Sequence, residues 1–346
     1  MTAPARFDAS DLASWSWSGL AEARDEREVN GRPMYNGASH LVGTLRSPVL
    51  DLEPFDEVVP SWLALTPPGT WIEMRLRVAF MTRWTRWYSL GVWAEGDEPV
   101  ARHSVPDQRD GDAEVATDTL RTAVAVQTLQ AEIALFTLSA DVLPLVLSLA
   151  LATSSPAPKR EFRVERAAWG RVLDVPPRSQ MVYRDGGEAW CSPVSVTMVL
   201  AYHGIDVSVA DAARATYDWA YGGCGNWPFN TGFAARHGLD AYVARYDSLH
   251  EVERDIVGGV PIVASYAWDE GELSGAPLAR VDGHLGVIIG FDERGDPVVN
   301  DPAAPRDELV RRTYRRSEFE RQWLGRSRGT VYVIRPRTAK PPVSGE

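Results

Sequence analysis

A cysteine at the start of a predicted helix is the residue of this sequence whose type and position best suit chemistry. Cys191 is followed by Pro193, which suits the first helical position because its missing N–H needs no partner there, and Gly204 suits the residue just past the helix end. The apolar spacing from Val196 to His203 predicts one buried face. A thiol at a helix N-terminus faces the positive end of the helix dipole, which favours the nucleophilic thiolate. We therefore predict a nucleophilic cysteine.

Two predicted strands downstream carry the histidine and the carboxylate that such a thiol needs. His284 opens an apolar run that ends at Phe291, and after a turn a second run covers Pro297–Asp301. Because side chains alternate along a strand, only one of Asn300 and Asp301 can face His284. A carboxylate orients and stabilises a charged imidazole better than an amide does, which favours Asp301 and leaves Asn300 as the alternative. Cysteine, histidine and orienting carboxylate are the groups of a cysteine acyl-transfer site.

Several other positions are candidates for binding the substrate or the oxyanion. Gln180 can supply an oxyanion-hole N–H beside the backbone N–H of Cys191, although an ordinary surface glutamine has the same pattern. The Gly-rich, aromatic segment 222–231 leads into a helix and predicts either a cleft wall or a tight turn. The predicted substrate-binding residues are Trp190, Asn226, Trp227 and Gly283. This chemistry needs neither a metal ion nor an organic cofactor.

Composition narrows the class of protein. The chain has 346 residues, 45% of them hydrophobic and 10% aromatic, which predicts a globular protein with about two domains. A net charge of -11 and a pI near 5.1 argue against a general nucleic-acid binder. The cysteines, Cys191 and Cys224, are too few for a disulfide framework. A structural role for Cys191 is the alternative to a catalytic one, because free cysteines are commonly buried.

The sequence also bears on location. The start, Met1–Asp8, has no apolar segment, so no signal peptide is predicted. The longest apolar stretch, Leu143–Ala152, alternates with period two and is too short to span a bilayer. We expect a cytoplasmic protein without a membrane span; a secreted protein whose leader had been removed would give the same pattern.

The order of patterns predicts two domains. Residues 1–152 are predicted to be all-β, because alternating apolar positions such as Ile72–Val78 mark half-buried strands separated by turn clusters. A β-sandwich of jelly-roll type is the expected architecture. Residues 153–164 are predicted to be a linker from their Ser- and Pro-rich composition.

Residues 165–340 mix helices with a run of adjacent strands, which predicts an α+β domain with a mainly antiparallel sheet. The predicted helices after the one that starts with Cys191 are Ser208–Tyr217, Ser248–Val257 and Ser317–Leu324. The predicted strands are Pro261–Trp268, His284–Asp292, Pro297–Asp301 and Gly329–Arg335.

The first domain contains a dense aromatic cluster. Trp84, Trp87, Tyr88 and Trp93 lie within ten residues, and in a strand Trp84 and Trp87 would point to opposite faces. These rings either fill the core or lie at the surface and stack on a sugar or a peptide aromatic group. We expect the first domain to act in recognition and the second to keep a reactive thiol without it.

The motifs, taken in order, resemble those of the C39-like peptidases, which are papain-like cysteine peptidases related to the bacteriocin-processing peptidases. The matching segments are Gln180, Ala189–Pro193, Met198–Leu200, Gly225–Thr231, Gly283–His284 and Val299–Pro302. The resemblance covers about residues 170–337 and implies Cys191 as nucleophile, His284 as base and Asp301 as orienter. It also implies Gln180 as oxyanion donor. Two details differ: Cys-Ser-Pro replaces the common Cys-Gly-Pro, and Gln180 lies further from the cysteine than in papain-like enzymes generally.

Together these features predict a cysteine peptidase that hydrolyses a peptide or isopeptide bond through a Cys-His-Asp triad and a thioester acyl-enzyme. One alternative is a transglutaminase-like acyl transferase, because the sequence does not reveal whether water reaches the acyl-enzyme. A second is a catalytically silent module that binds a glycan or a protein. The expected partners are a peptide or protein substrate and a glycan ligand of the first domain.

Overall fold

The computed structural model describes residues 4–24, 39–155 and 166–337, with the backbone of two short strands at 28–29 and 32–33. Most of the predicted linker, 153–164, therefore lies outside the described residues. The described chain has a strand-rich N-terminal region and a C-terminal region of mixed helices and strands. This agrees with the order of patterns along the sequence.

The N-terminal region contains one short helix and thirteen described strands, several of them long. They are β1 (Ala5–Asp8), α1 (Ala9–Leu12), β2 (Ser16–Trp17), β3 (Ala21–Arg24), β4 (Glu28–Val29), β5 (Arg32–Pro33), β6 (Ser39–Arg46), β7 (Leu50–Leu65), β8 (Thr70–Phe80), β9 (Arg83–Trp84), β10 (Tyr88–Trp93), β11 (Ala113–Ala116), β12 (Thr119–Thr137) and β13 (Leu145–Ser154). The predicted strand at 72–78 lies within β8, and alternating apolar residues explain its burial.

Eleven of these strands form a continuous antiparallel sheet, as the predicted all-β class requires, and the jelly-roll arrangement stays a prediction. The 19-residue β12 connects the two halves of this sheet. Its first part pairs with β7 and β11, and its second part pairs with β6 and β8. The register against β7 shifts between Arg121 and Thr128, where β12 passes from one half to the other.

The C-terminal region has the predicted α+β composition. Its elements are α2 (Cys191–Tyr202), α3 (Val209–Thr216), α4 (Trp227–Arg236), β14 (Leu239–Arg245), α5 (Leu249–Val257), β15 (Ile262–Trp268), β16 (Val281–Phe291), β17 (Pro297–Asn300), β18 (Arg311–Thr313), α6 (Arg316–Ser327) and β19 (Thr330–Pro336). The predicted elements occur with ends shifted by three residues or fewer. Among the described helices, none combines the length and apolar character needed to cross a membrane.

Helix α2 packs against a six-stranded antiparallel sheet with the order β14-β19-β15-β16-β17-β18. The Ser192 and Tyr332 hydroxyls hydrogen-bond at 2.9 Å, and Ser195 donates to the Leu285 carbonyl at 3.1 Å. The predicted single buried face of α2 is wrong, because every residue from Ser192 to Leu200 is buried. The helix is enclosed on all sides, and this fixes its N-terminal end over β16.

The N-terminal and C-terminal regions share a hydrophobic core. Phe229 of α4 packs against Trp62 and Trp93 of the first region, with ring centroids 6.3 and 5.6 Å apart. A buried ion pair joins Arg245 of β14 to Glu57 of β7 at 3.1 Å. Separable domains have their own cores, so this shared packing predicts that the two regions stabilise each other.

The tryptophan pair Trp84 and Trp87 lies at the surface of the N-terminal region. Both rings are half-buried, and the Arg77 guanidinium lies 4.6 Å from the centroid of each. Trp87 follows the end of β9 in the connection to β10, so the expected strand alternation does not apply to it. Trp93 is buried in the core. A cation therefore occupies one face of each surface ring, and a glycan ligand stays a prediction.

Candidate active site

Cys191 is the first residue of α2, and its side chain is partly exposed. The residue before it, Trp190, makes no side-chain hydrogen bond to the helix end, so side-chain capping does not occupy the first-turn N–H groups. Pro193 is the third helical residue, and its missing N–H costs no helix hydrogen bond within the first turn. The thiol thus stands at the positive end of a buried helix.

His284 lies on β16 next to that helix end and is buried. It pairs with Tyr266 on β15, and the rings of Tyr266 and Trp268 meet the imidazole edge-on at 5.3 and 5.6 Å. Leu285, the next residue, holds α2 through the hydrogen bond from Ser195. The sheet therefore fixes the imidazole relative to the cysteine helix, and the aromatic rings exclude water from one side of it.

Asp301 follows β17 directly and contacts the histidine. The His284 Nε2 and Asp301 Oδ1 atoms are 2.8 Å apart. Asp301 is fully buried and also accepts hydrogen bonds from the Tyr266 hydroxyl at 2.9 Å, the Tyr314 hydroxyl at 2.7 Å and the Ala303 N–H at 3.0 Å. Four donors compensate for removing this carboxylate from water.

Asn300, the alternative orienter, points elsewhere. Its Nδ2 donates to the Val175 carbonyl at 3.1 Å, and its side chain is fully buried. Strand alternation places the side chains of Asn300 and Asp301 on opposite faces, as the sequence argument required. Of these two residues, the structure brings Asp301 to His284.

The electrostatics of the pair favour a charged histidine. Burial lowers the pKa of His284, but the Asp301 charge and hydrogen bond, together with a hydrogen bond to the Cys191 thiol, raise it to about 10. Burial also raises the pKa of Asp301, but the His284 charge and the hydrogen bonds outweigh this and lower it below its usual value. Because Asp301 occupies Nε2, Nδ1 is the nitrogen left for the thiol. The arrangement supports an imidazolium beside a sulfur nucleophile.

Gln180 begins a short 3₁₀ turn and is buried, unlike an ordinary surface glutamine. Its backbone N–H donates to the Pro302 carbonyl, and its Nε2 donates to the Glu188 carbonyl, each at 2.8 Å. A primary amide carries two N–H groups, so one remains beyond the bond to Glu188. Gln180 and Cys191 line the same cleft.

The cleft around Cys191 has a volume of about 670 Å³ and is lined by both regions of the chain. The turn between β11 and β12 contributes Ala116–Thr119 to its wall. Asp118 in this turn accepts a hydrogen bond from the Trp227 N–H at 2.7 Å, and burial raises the pKa of Asp118 to about 6. Within the described ranges, no His, Cys, Asp and Glu side chains group closely enough to hold a metal ion.

Two of the four predicted substrate-binding residues line this cleft. Trp227 and Gly283 belong to its wall, and a Cβ on Gly283 would meet no atom within 4 Å, so a substrate backbone has room there. Trp190 does not line the cleft; its ring packs against Tyr183 with centroids 5.7 Å apart. It is the neighbour of Cys191 in the chain without being part of the cavity wall.

Asn226 is fully buried and caps α4 instead of facing a substrate. Its Oδ1 accepts a hydrogen bond from the Phe229 N–H at 3.2 Å, and its Nδ2 donates to Asp218 at 2.9 Å. Both ends of the amide are therefore used within the fold.

The second cysteine, Cys224, lines the same cleft as Cys191 but is more deeply buried. Both thiols are free, but Cys224 is buried and its Sγ donates to the Ala213 carbonyl at 3.3 Å. Burial raises the pKa of Cys224 to about 12. A thiol in this state is a poor nucleophile at neutral pH.

Sequence reasoning missed the tyrosines that hold Asp301 and the turn that supports the cleft wall. Tyr266 interrupts an apolar strand, and a buried tyrosine hydroxyl needs a partner, so its presence was a signal that a polar group lies nearby. Tyr314 lies in a connection, and Asp118 lies more than a hundred residues from its partner Trp227. No local pattern indicates these last two contacts.

Comparison with known proteins follows the same division of the chain. Residues 7–154 match the model of the peptidase C39 N-terminal domain, and residues 172–331 match the model of the peptidase C39-like family. No curated protein sequence matches the chain significantly. Among solved structures, a protein described as a C39-like peptidase from Bacillus anthracis is similar at 19% identity and a TM-score of 0.35, covering 49% of this chain and 99% of its own. A double-glycine motif protease from an AMS/PCAT transporter, in complex with the leader peptide, is similar at 21% identity and a TM-score of 0.33, covering 50% and 97%.

Proposed function

The chain belongs to the C39-like peptidases, and we propose that it cleaves a peptide or isopeptide bond with Cys191 as nucleophile, His284 as acid and base, and Asp301 as orienter. The family match makes it a cysteine peptidase. The roles of the individual residues rest on the contacts within the cleft. A helix that carries the cysteine and packs on an antiparallel sheet that carries the histidine is also what a papain-like arrangement requires.

Acylation begins with attack of the Cys191 sulfur on the substrate carbonyl carbon, which places a negative charge on the carbonyl oxygen. The His284 Nδ1 proton then passes to the leaving nitrogen, the C–N bond breaks, and an amine departs. The product on the enzyme is a thioester. Asp301 keeps Nε2 protonated throughout, so Nδ1 is the nitrogen that exchanges the proton.

Two donors are candidates for stabilising the oxyanion. The backbone N–H of Cys191 is in the first turn of α2, where no intrahelical acceptor exists. The second N–H of the Gln180 side chain is the other candidate, because its first N–H is held by the Glu188 carbonyl. Preorganised donors of this kind contribute roughly 3 kcal/mol each to an acyl-transfer transition state.

Deacylation needs a nucleophile and a base. In the hydrolytic route, water attacks the thioester carbon, the neutral His284 accepts its proton, and a carboxylic acid leaves as the thiolate reforms. An amine in place of water would give acyl transfer through the same steps. The partition between the two depends on water access to the thioester.

The observation that best supports this proposal is the 2.8 Å contact between His284 and Asp301 in the cleft that Cys191 also lines. Incubating a library of unmodified peptides with the wild-type protein and with Cys191→Ala, followed by mass spectrometry of the products, tests it. We expect peptide cleavage that Cys191→Ala abolishes. Cleavage that survives in the variant would rule out the assigned nucleophile. Adding a primary amine separates hydrolysis from transfer by the mass of the new product.

A further inference from the structure

A second cavity, of about 350 Å³, adjoins the active-site cleft and is lined mostly by arginines. The charged residues around it are Glu57, Arg121, Arg245, Arg326 and Arg328. It shares Arg121, Trp227, Arg326 and Ser327 with the cleft that contains Cys191. The Arg245 guanidinium lies 5.3 Å from the centroid of the Trp227 ring, which stands between the two spaces. The arginine pocket is therefore an extension of the substrate cleft.

Glu57 is the carboxylate among the residues that line this pocket, and four arginines line it as well. Glu57 contacts Arg121 at 3.0 Å and Arg245 at 3.1 Å, and lies 3.6 Å from Arg328. One negative charge thus faces four guanidinium groups among the lining residues. Arg121 is half-exposed, so its guanidinium remains accessible from the cleft.

The other carboxylates near these arginines lie outside the lining of the pocket. Asp56 binds Arg328 at 2.5 Å, Asp269 and Glu272 bind Arg326 at 2.7 and 3.0 Å, and Glu114 lies 4.0 Å from Arg121. Each pair uses one nitrogen of a guanidinium that carries five N–H donors. Donors therefore remain for an additional acceptor.

Arg245 is the buried member of the arginine pocket. Its Nη1 donates to the Ser327 carbonyl, and its Nη2 binds Glu57. Its Nε has no hydrogen-bond partner among the described residues. Because Arg245 is buried and held by Ser327 and Glu57, the accessible donors of the pocket belong to the partly exposed Arg121, Arg326 and Arg328.

We propose that the arginine pocket binds a carboxylate of the peptide substrate, either an acidic side chain or the C-terminal carboxylate, at a fixed distance from the cleaved bond. Guanidinium groups match carboxylates in bidentate geometry. The acidic residues that line the cleft itself are Asp118, Glu188 and Asp282. The inference names the substrate class for the proposed peptidase activity and rests on that activity.

The test begins with a peptide that the wild-type protein cleaves. Its acidic residues are exchanged for the matching amides one at a time, and its C-terminal acid is exchanged for the amide. We expect one of these exchanges to lower kcat/KM by about tenfold, the size of one charge-assisted hydrogen bond. The exchange that does so identifies the source of the carboxylate. In Arg326→Gln or Arg121→Gln, the same exchange should have almost no further effect.

Arg321→Gln is the matched control, because Arg321 lies exposed on the same helix as Arg326 and does not line the pocket. It should retain the full preference for the acid. Equal cleavage of acid and amide peptides by the wild-type protein would overturn the inference while leaving the peptidase proposal intact. No cleavage of any peptide, together with an unreactive Cys191, would instead refute the peptidase proposal itself.

Discussion

His284 and Asp301 form a buried ion pair. Groups of the protein make the hydrogen bonds to it. Two tyrosine hydroxyls and a backbone N–H hold the carboxylate, and aromatic rings hold the imidazole. A buried charge without such partners would neutralise itself by a shift in pKa. Here the contacts raise the pKa of His284 and lower that of Asp301, so both groups stay charged across the neutral range.

The positive charge on His284 determines how peptide cleavage should change at alkaline pH. Because the imidazolium protonates the leaving amine, peptide cleavage should fall as pH rises through about 10, the pKa of His284. Asp301→Asn removes the charge that raises this pKa, so its alkaline limb should move toward neutral pH. Its kcat/KM should fall by roughly 10²–10⁴-fold. Profiles of kcat/KM against pH for both proteins provide the measurement.

Variants at the neighbouring positions serve as controls for that experiment. Asp301→Ala should lower kcat/KM more than Asp301→Asn does, since an amide can still orient the ring. Asn300→Ala should lower kcat/KM less than either of these variants, because Asn300 contacts Val175 rather than His284. An Asn300→Ala defect larger than that of Asp301→Ala would show that the orienter has been misassigned.

The same pair should make stability depend on pH. The pKa of His284 is raised in the folded state, so its contribution to the free energy of unfolding is fully present below about 6.5 and is lost as pH rises through about 10. The pKa of Asp301 is lowered, so its contribution is present above about 3.9 and is lost as pH falls through the folded value. The free energies of unfolding of wild type and His284→Ala, measured with denaturant, should become equal at high pH. A constant difference between them from pH 6 to 11 would contradict this.

At the scale of elements, Gly286 on β16 lets the Tyr266 side chain come close to the backbone of β16. Gly286 lies two residues after His284, and a Cβ there would stand 2.7 Å from the Tyr266 hydroxyl and 3.1 Å from Val299. That hydroxyl is one of the donors to Asp301. The backbone of β16 therefore sets the position of a residue that supports the histidine from the neighbouring strand.

Gly286→Ala should displace Tyr266 and weaken the support of Asp301. We expect a loss of about 1–3 kcal/mol in the free energy of unfolding, as overpacking of a core causes, together with reduced peptide cleavage. Gly111→Ala is the control, because a Cβ at Gly111 would meet no atom within 4 Å. Chemical unfolding and kcat/KM of both variants check the prediction. Equal behaviour of the two would mean that the close approach at Gly286 is unimportant.

The elements also show what the sequence can and cannot predict. The helix start at Cys191 and the strands around His284 follow local patterns, so they are visible in the sequence alone. The single buried face predicted for α2 was wrong, because apolar spacing does not reveal how many neighbours enclose a helix. Asn226 was expected to bind substrate because it lies in a loop, yet its amide caps a helix. Local chemistry identifies such residues, but only tertiary contacts assign their partners.

At the scale of the whole molecule, the N-terminal region supports the cleft wall at two points. Asp118 accepts the N–H of Trp227, and the Ser104 N–H donates to Asp218 at 2.9 Å. These contacts hold the two ends of the 218–227 segment that faces Cys191. A sequence pattern cannot reveal them, because the partners are more than a hundred residues apart. The separate recognition role of the first domain stays a prediction, and these contacts predict that this domain also supports the cleft wall.

We predict that residues 166–337, produced alone, do not fold into a reactive protein. They would expose Phe229, which packs on Trp62 and Trp93, and would leave Arg245 without Glu57. Removing one partner of a buried ion pair alone costs roughly 3–5 kcal/mol. Circular dichroism and thiol labelling check this. A folded fragment whose Cys191 reacts at the wild-type rate would contradict this prediction and support two independently folding domains.

The most direct test of the central claim is the reactivity of the two cysteines at about pH 5. The claim is that His284 and Asp301 hold Cys191 as a nucleophile, whereas burial raises the pKa of Cys224 to about 12. Brief treatment of the folded protein with iodoacetamide, followed by peptide mapping, measures both thiols in one sample. We predict modification of Cys191 without modification of Cys224, and loss of the Cys191 reaction in His284→Ala. Equal labelling of both cysteines, or unchanged labelling of Cys191 in His284→Ala, would contradict the account.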